Sequence, residues 1–186
     1  GCINYVETGT GIGVCLRHAL KFNFKNLYSI DVDEDLIHQA KSKFSDANIH
    51  LLNGYSTEVL EGLIPTLPSD EPIMFFLDAH FPGADFKKIS YEESIKTYKE
   101  QAFPLIEEIR IIKKYRDVSK DIFIIDDWKL YDTSLNYEMP GWEYRNLQVE
   151  LGLDTPAEEI ISELRDTHNI DIILRHQGFL FAKPKV

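Results

Sequence analysis

The sequence predicts a doubly wound α/β domain with a mostly parallel sheet and an antiparallel hairpin at its C-terminal edge. Five short, nearly continuous apolar runs each end in a polar residue, the pattern of strands buried on both faces. Stretches of helical period separate these runs, as a parallel sheet with crossover helices requires. A last pair of β-rich runs flanks Gln177-Gly178, a turn dipeptide that makes them a hairpin.

The strands are predicted at 3–7 (INYVE), 27–31 (LYSID), 48–53 (NIHLLN), 72–78 (PIMFFLD) and 121–126 (DIFIID), with the hairpin at 171–176 and 179–182. Ile12, Leu16, Ala19 and Leu20 suit one face of a helix after the first strand. Leu36, Ile37, Ala40 and Phe44 do the same after the second, with Asp33 as the cap. Phe103, Ile106, Ile109 and Ile112 keep helical spacing behind Pro104, whose missing N–H does no harm at a helix start. Thr155-Pro156-Ala157-Glu158 reads as a capping box opening a helix through Ile160, Ile161 and Leu164. Residues 81–99 and 129–146 fit no regular element. Both are Tyr-rich insertions after strand ends, where an open α/β sheet binds ligands, so they are expected to cover that site.

A chain of 186 residues supports one domain with a sizeable core. Its composition, 44% hydrophobic and 27% charged, is that of a folded soluble protein. The net charge of −11 repels a phosphate backbone, so nucleic acid is not an expected partner. Cys2 and Cys15 form no metal-ligand spacing and read as free thiols in a reducing compartment. No apolar run approaches the ~20 residues of a membrane span and no signal peptide is visible, so the expected location is cytoplasmic. The chain begins at Gly1, almost inside its first strand, which points to a preceding segment.

Gly9, Gly11 and Gly13 lie between the first strand and its helix, where clustered glycines mark left-handed backbone or close approach of a ligand. Their spacing is G-x-G-x-G. The dinucleotide fingerprint G-x-G-x-x-G would need a third glycine where Val14 stands, and no phosphate-binding G-x-x-x-x-G-K-[ST] occurs. Asp31 ends the next strand 18 residues after Gly13 (31 − 13), near the ~20 expected for a carboxylate on ribose hydroxyls. Together these features read as a nucleoside site.

Glu7-Thr8-Gly9-Thr10-Gly11-Ile12-Gly13 resembles the first motif of the class I S-adenosylmethionine-dependent methyltransferases, and the element order is similar from about residue 3 to 183. The resemblance implies a Rossmann-like fold and S-adenosylmethionine as cofactor, with Glu7, Gly9, Gly11 and Gly13 under its amino-acid and ribose part and Asp31 on the ribose. The family's acidic residue after the third strand has no counterpart, since Asn53-Gly54-Tyr55-Ser56 stands there. Tyr55 is the residue expected to stack on adenine instead.

The fourth strand ends Leu77-Asp78-Ala79-His80 and the fifth Ile125-Asp126-Asp127-Trp128. These carboxyl ends are neighbours in such a sheet, so three carboxylates and an imidazole should converge near the glycine loop. Like charges that close repel, and a divalent cation is the usual remedy. The pattern looks like the metal-dependent O-methyltransferases, most closely the macrocin O-methyltransferase group. That resemblance implies magnesium on Asp78, Asp126 and Asp127 and a small-molecule hydroxyl as acceptor, with His80 in the position of the base. A His of ordinary pKa, ~6.5, would accept a proton at neutral pH.

Other readings compete with this one. Asp31-Val32-Asp33 is also a D-x-D, which in a nucleotide-sugar glycosyltransferase would hold a cation and diphosphate. A methyltransferase-like module that binds without turnover is the non-enzymatic alternative. Trp128, Tyr131, Tyr137, Trp142 and Tyr144 are candidates for an acceptor pocket or for core. Glu92-Glu93 and Glu107-Glu108 read as solvated helix faces, and His18, His38, His50, His168 and His176 as structural or exposed.

Overall fold

A computed structural model describes residues 1–132 and 145–185, with only the backbone of residues 145 and 146. Tyr137, Trp142, Tyr144 and most of the second predicted insertion lie outside the described residues. The strands are β1 (Asn4–Thr8), β2 (Asn26–Asp31), β3 (Ile49–Asn53), β4 (Ile73–Leu77), β5 (Ile122–Ile125), β6 (His168–Ile173) and β7 (Phe179–Pro184). The helices are α1 (Val14–Ala19), α2 (Glu34–Lys43), α3 (Ser56–Leu63), α4 (Tyr91–Tyr98), α5 (Leu105–Tyr115), α6 (Arg145–Glu150) and α7 (Ala157–Leu164).

The strands form one sheet in the order β3-β2-β1-β4-β5-β7-β6. The first five are parallel, and β7 runs antiparallel to both β5 and β6. Successive side chains of a strand point to opposite faces, and the core divides accordingly. On one face, Tyr5 of β1 packs with Leu16, Ala19 and Ala40 of α1 and α2. On the other, Val6, Phe75 and Phe123 pack with Leu60, Ile109, Ile112 and Ile160 of α3, α5 and α7. Burying an aliphatic or Phe side chain contributes roughly 1.5–3 kcal/mol, so these two layers fix the sheet and with it the row of strand ends above.

Several local expectations change. Helix α1 begins at Val14, capped by Gly13 in the left-handed region, and Ile12 is 53% exposed rather than on the buried face. Asp33 does cap α2, its Oδ1 accepting from the N–H groups of Asp35 and Leu36. Thr155 caps nothing: Pro156 is itself the capping residue of α7, with no side-chain hydrogen bond. The insertion after β4 contains helix α4, started by Ser90, whose hydroxyl accepts from the N–H of Glu93. Strand β6 starts at His168 and ends at Ile173, earlier than predicted on both sides, which leaves 174–178 as the turn. Trp128 and Tyr131 are core residues, 0% and 7% exposed. No helix among the described residues is long and apolar enough to cross a membrane.

Candidate active site

The parallel register brings the chemistry-bearing residues to one edge. Thr8 lies beside Ile30 and Leu77, and Leu77 beside Ile125, so the next residues of these four strands, Gly9, Asp31, Asp78 and Asp126, emerge together. The carbonyl of Ile30 accepts from the N–H of Gly9 (2.8 Å), and that of Leu77 accepts from the N–H of Asp126 (3.1 Å). A cleft of about 730 Å³, including its open mouth, lies above this edge.

One end of the cleft is built by the glycine loop. Gly9 and Gly11 line it with φ of 83° and 52°. A Cβ on Gly9 would lie 2.6 Å from the carbonyl oxygen of Asp78, so only glycine lets the loop pass the end of β4. Asp31 lines the same end; its Oδ2 accepts from the N–H of Gly11 and its Oδ1 from the N–H of Asp33, both at 2.8 Å. Burial pushes the Asp31 carboxyl up from its ordinary value, and those two N–H groups oppose the rise. Tyr55 also lines the cleft, in tilted contact with Tyr98.

Glu7 and Gly13 do not line it. Glu7 shares the face of β1 with Tyr5, and its oxygens accept from the Tyr5 hydroxyl (2.7 Å) and the Ser29 hydroxyl (2.5 Å) behind the loop. Its complete burial pushes its pKa up to about 7, against the pull of those two donors. Gly13 packs against the ring of Phe44. Both shape the loop from behind. The carboxylates of the D-x-D are committed to the chain itself, Asp31 as described and Asp33 to Lys88, whose Nζ lies 2.6 Å from its Oδ2.

At the other end sits His80, ringed by carboxylates. Its Nε2 lies 2.9 Å from Asp127 Oδ2 and 3.5 Å from Asp85 Oδ2, and its Nδ1 lies 3.7 Å from Asp78 Oδ1. Burial alone would lower the His80 pKa, but the hydrogen bond to Asp127 and the charges of Asp127, Asp78 and Asp85 raise it to about 10. The surrounding carboxylates thus favour the protonated imidazole, an influence that sequence spacing did not reveal because it does not show how many carboxylates face one ring. Burial drives the Asp78 carboxyl well up, with the His80 charge opposing and the neighbouring aspartates adding to the rise.

The expected metal ligands were Asp78, Asp126 and Asp127. Ligand atoms of Asp78, His80 and Asp127 lie within 4.8 Å of one another, whereas Asp126 is not in that group and its Oδ1 accepts from the N–H of Asp127. Two carboxylates with an imidazole suit a divalent cation that takes mixed nitrogen and oxygen ligands better than magnesium, which favours oxygen alone.

Three features were missed from the sequence. Asp85 and Phe86 reach the cleft from the loop after β4, which no periodicity marks. Glu108 is 0% exposed, against the expectation of a solvated face. Burial pushes its pKa up to about 7; the Ser56 and Thr8 hydroxyls oppose this, yet neither carboxylate oxygen has a partner at hydrogen-bond geometry among the described residues. The signal for Glu108 was present: Leu105, Glu108, Ile109 and Ile112 follow the i, i+3, i+4, i+7 pattern of one buried stripe.

No family model matches the chain, and no curated protein matches it. Solved structures do. The Podospora anserina methyltransferase PaMTH1 bound to SAH is 12% identical with a TM-score of 0.61, covering 99% of this chain and 72% of its own. An O-methyltransferase from Bacillus cereus in complex with SAH is 11% identical with a TM-score of 0.58, covering 99% and 74%. A SAM-dependent methyltransferase from Aquifex aeolicus is 15% identical with a TM-score of 0.54, covering 97% and 80%. The fold is that of the class I S-adenosylmethionine-dependent methyltransferases.

Proposed function

We propose that this protein is an S-adenosylmethionine-dependent methyltransferase acting on a hydroxyl of a small molecule, of the type that its D-A-H and D-D-W tripeptides resemble. The observation that carries the reading is a single cleft lined by Gly9, Gly11, Asp31, Asp78 and His80, with Asp127 2.9 Å from the His80 ring. Asp31, already oriented by two backbone N–H groups, holds the ribose. Gly9 and Gly11 let the nucleoside lie against bare backbone, and Tyr55 contacts the base.

Bound in this way, the sulfonium supplies the methyl group. What the chain must add is alignment of the acceptor and removal of its proton. Asp78 takes the proton, since its carboxyl faces the cleft with a pKa raised by burial. His80 acts as the fixed counter-cation of the anionic cluster. A divalent cation could take the place of that imidazolium charge: Asp78, Asp127 and a neutral His80 would then hold it, and it would lower the pKa of an acceptor hydroxyl.

Calorimetry with S-adenosylhomocysteine tests the reading. The wild type should bind, and Asp31→Ala should lose ~1.5–3 kcal/mol, the worth of a charge-assisted hydrogen bond. Equal affinity in the two proteins would place the nucleoside elsewhere.

A further inference from the structure

The geometry points to Lys88 as a positioning residue that straps the loop 81–90 across the nucleoside end of the cleft, so that one exposed ion-pair bridge both closes that cleft and delivers Asp85 to His80. The inference rests on the nucleoside reading above. The base of the loop is fixed: Phe81 and Ala84 are 1% and 5% exposed, and Phe81 stacks edge-to-face on His80, Tyr91 and Phe103. Its tip is not part of the core. Phe86 is 40% exposed and its ring lies over the glycine loop, where a Cβ on Gly11 would meet Phe86 Cζ at 3.2 Å.

Two further contacts hold the tip. Lys88 Nζ reaches across to the start of α2, 2.6 Å from Asp33 Oδ2 and 2.9 Å from Asp35 Oδ2. Asp85 is braced by the Tyr91 hydroxyl on Oδ1 (2.7 Å) and presents Oδ2 to His80 Nε2 at 3.5 Å. Gly83 and Lys87, at φ of 78° and 58°, bound the segment that carries Asp85 and Phe86. Asp33 and Phe86 both line the cleft, so the Lys88 bridge ties the loop that carries Phe86 to another part of the cleft wall. The closed bridge steadies the segment that carries Asp85 and Phe86, so a nucleoside leaving past Phe86 is slowed while it holds.

Exposed ion pairs contribute up to ~1 kcal/mol each and weaken with salt. Stopped-flow displacement of S-adenosylhomocysteine from the whole chain reads the strap directly. Lys88→Met should speed release about three- to ten-fold at low ionic strength. The wild-type rate should climb toward the variant's as salt rises, while the variant's stays flat. Asp35→Asn, which changes the other side of the bridge, should speed release in the same direction, and Lys88→Arg should restore the slow rate. Release rates of Lys88→Met and Asp35→Asn equal to wild type, with the same salt response, would overturn the strap while leaving the nucleoside site standing. Absence of S-adenosylhomocysteine binding by the wild type in calorimetry would overturn both.

Discussion

His80 Nε2 and Asp127 Oδ2 are 2.9 Å apart, and the backbone that places Asp127 there is in the left-handed region, at φ 50° and ψ 36°. Asn tolerates that region, Gly adopts it freely, and Ala is penalised by ~1–2 kcal/mol. Asp127→Gly and Asp127→Ala both remove the side-chain partner of His80, so the difference between them reports the backbone, whereas Asp127→Asn keeps an amide oxygen that can accept from His80 Nε2. The expected order in urea unfolding is Asn at least as stable as Gly, with Ala less stable than Gly by ~1–2 kcal/mol. Equal stability of Asp127→Gly and Asp127→Ala would show that the left-handed placement is not strained.

Glu108 makes stability depend on pH in a defined window. Burial raises its folded-state pKa from 4.5 to about 7, so its protonated form is the one the fold favours. The stability contributed by that proton is fully present below about 4.5 and is lost as pH rises through about 7. A shift of this size is worth on the order of 3 kcal/mol. Glu108→Gln cannot ionise, and the nearby Ser56 and Thr8 hydroxyls can turn to accept from the amide, so little is lost in the exchange. Its stability should fall less steeply than the wild type's between about 4.5 and 7, where Glu7 still titrates in both, and should exceed the wild type's above 7. Glu7 is the poorer choice, because Tyr5 and Ser29 both donate to its oxygens and an amide would face one of them with a donor.

The sheet was legible because each buried strand carries its own apolar run, and the glycine loop and strand-end aspartates because their spacing is local. Helix α1 was overextended to Ile12 because an apolar residue beside a glycine loop fits helical period as well as it fits an exposed turn. The second half of the site was only partly legible. Asp78 and His80 are neighbours in sequence, but Asp127 is chosen over Asp126 by a backbone turn that no pattern announces. Asp85 joins the cluster by its approach to His80, and Lys88 belongs to the site only through Asp33 and Asp35, 55 and 53 residues earlier in the chain. Charge and burial then decide the protonation of His80, which is a property of the assembled cluster.

The first two glycines of the loop differ in what opposes a side chain. At Gly9, with φ 83°, a Cβ would sit 2.6 Å from the Asp78 carbonyl oxygen, which belongs to the central strand β4 and cannot yield. At Gly11, with φ 52°, the obstacle is the half-exposed ring of Phe86 at 3.2 Å, free to swing outward. Both substitutions carry the left-handed penalty of ~1–2 kcal/mol, and only the first adds a clash with fixed backbone. Gly9→Ala should therefore destabilise by ~3 kcal/mol or more in urea unfolding, within the range of a strained special-φ position. Gly11→Ala should cost ~1–2 kcal/mol and instead speed nucleoside release, because its methyl displaces the ring that covers the cleft. Equal stability losses at the two positions would mean that the loop, not β4, moves to admit the methyl group.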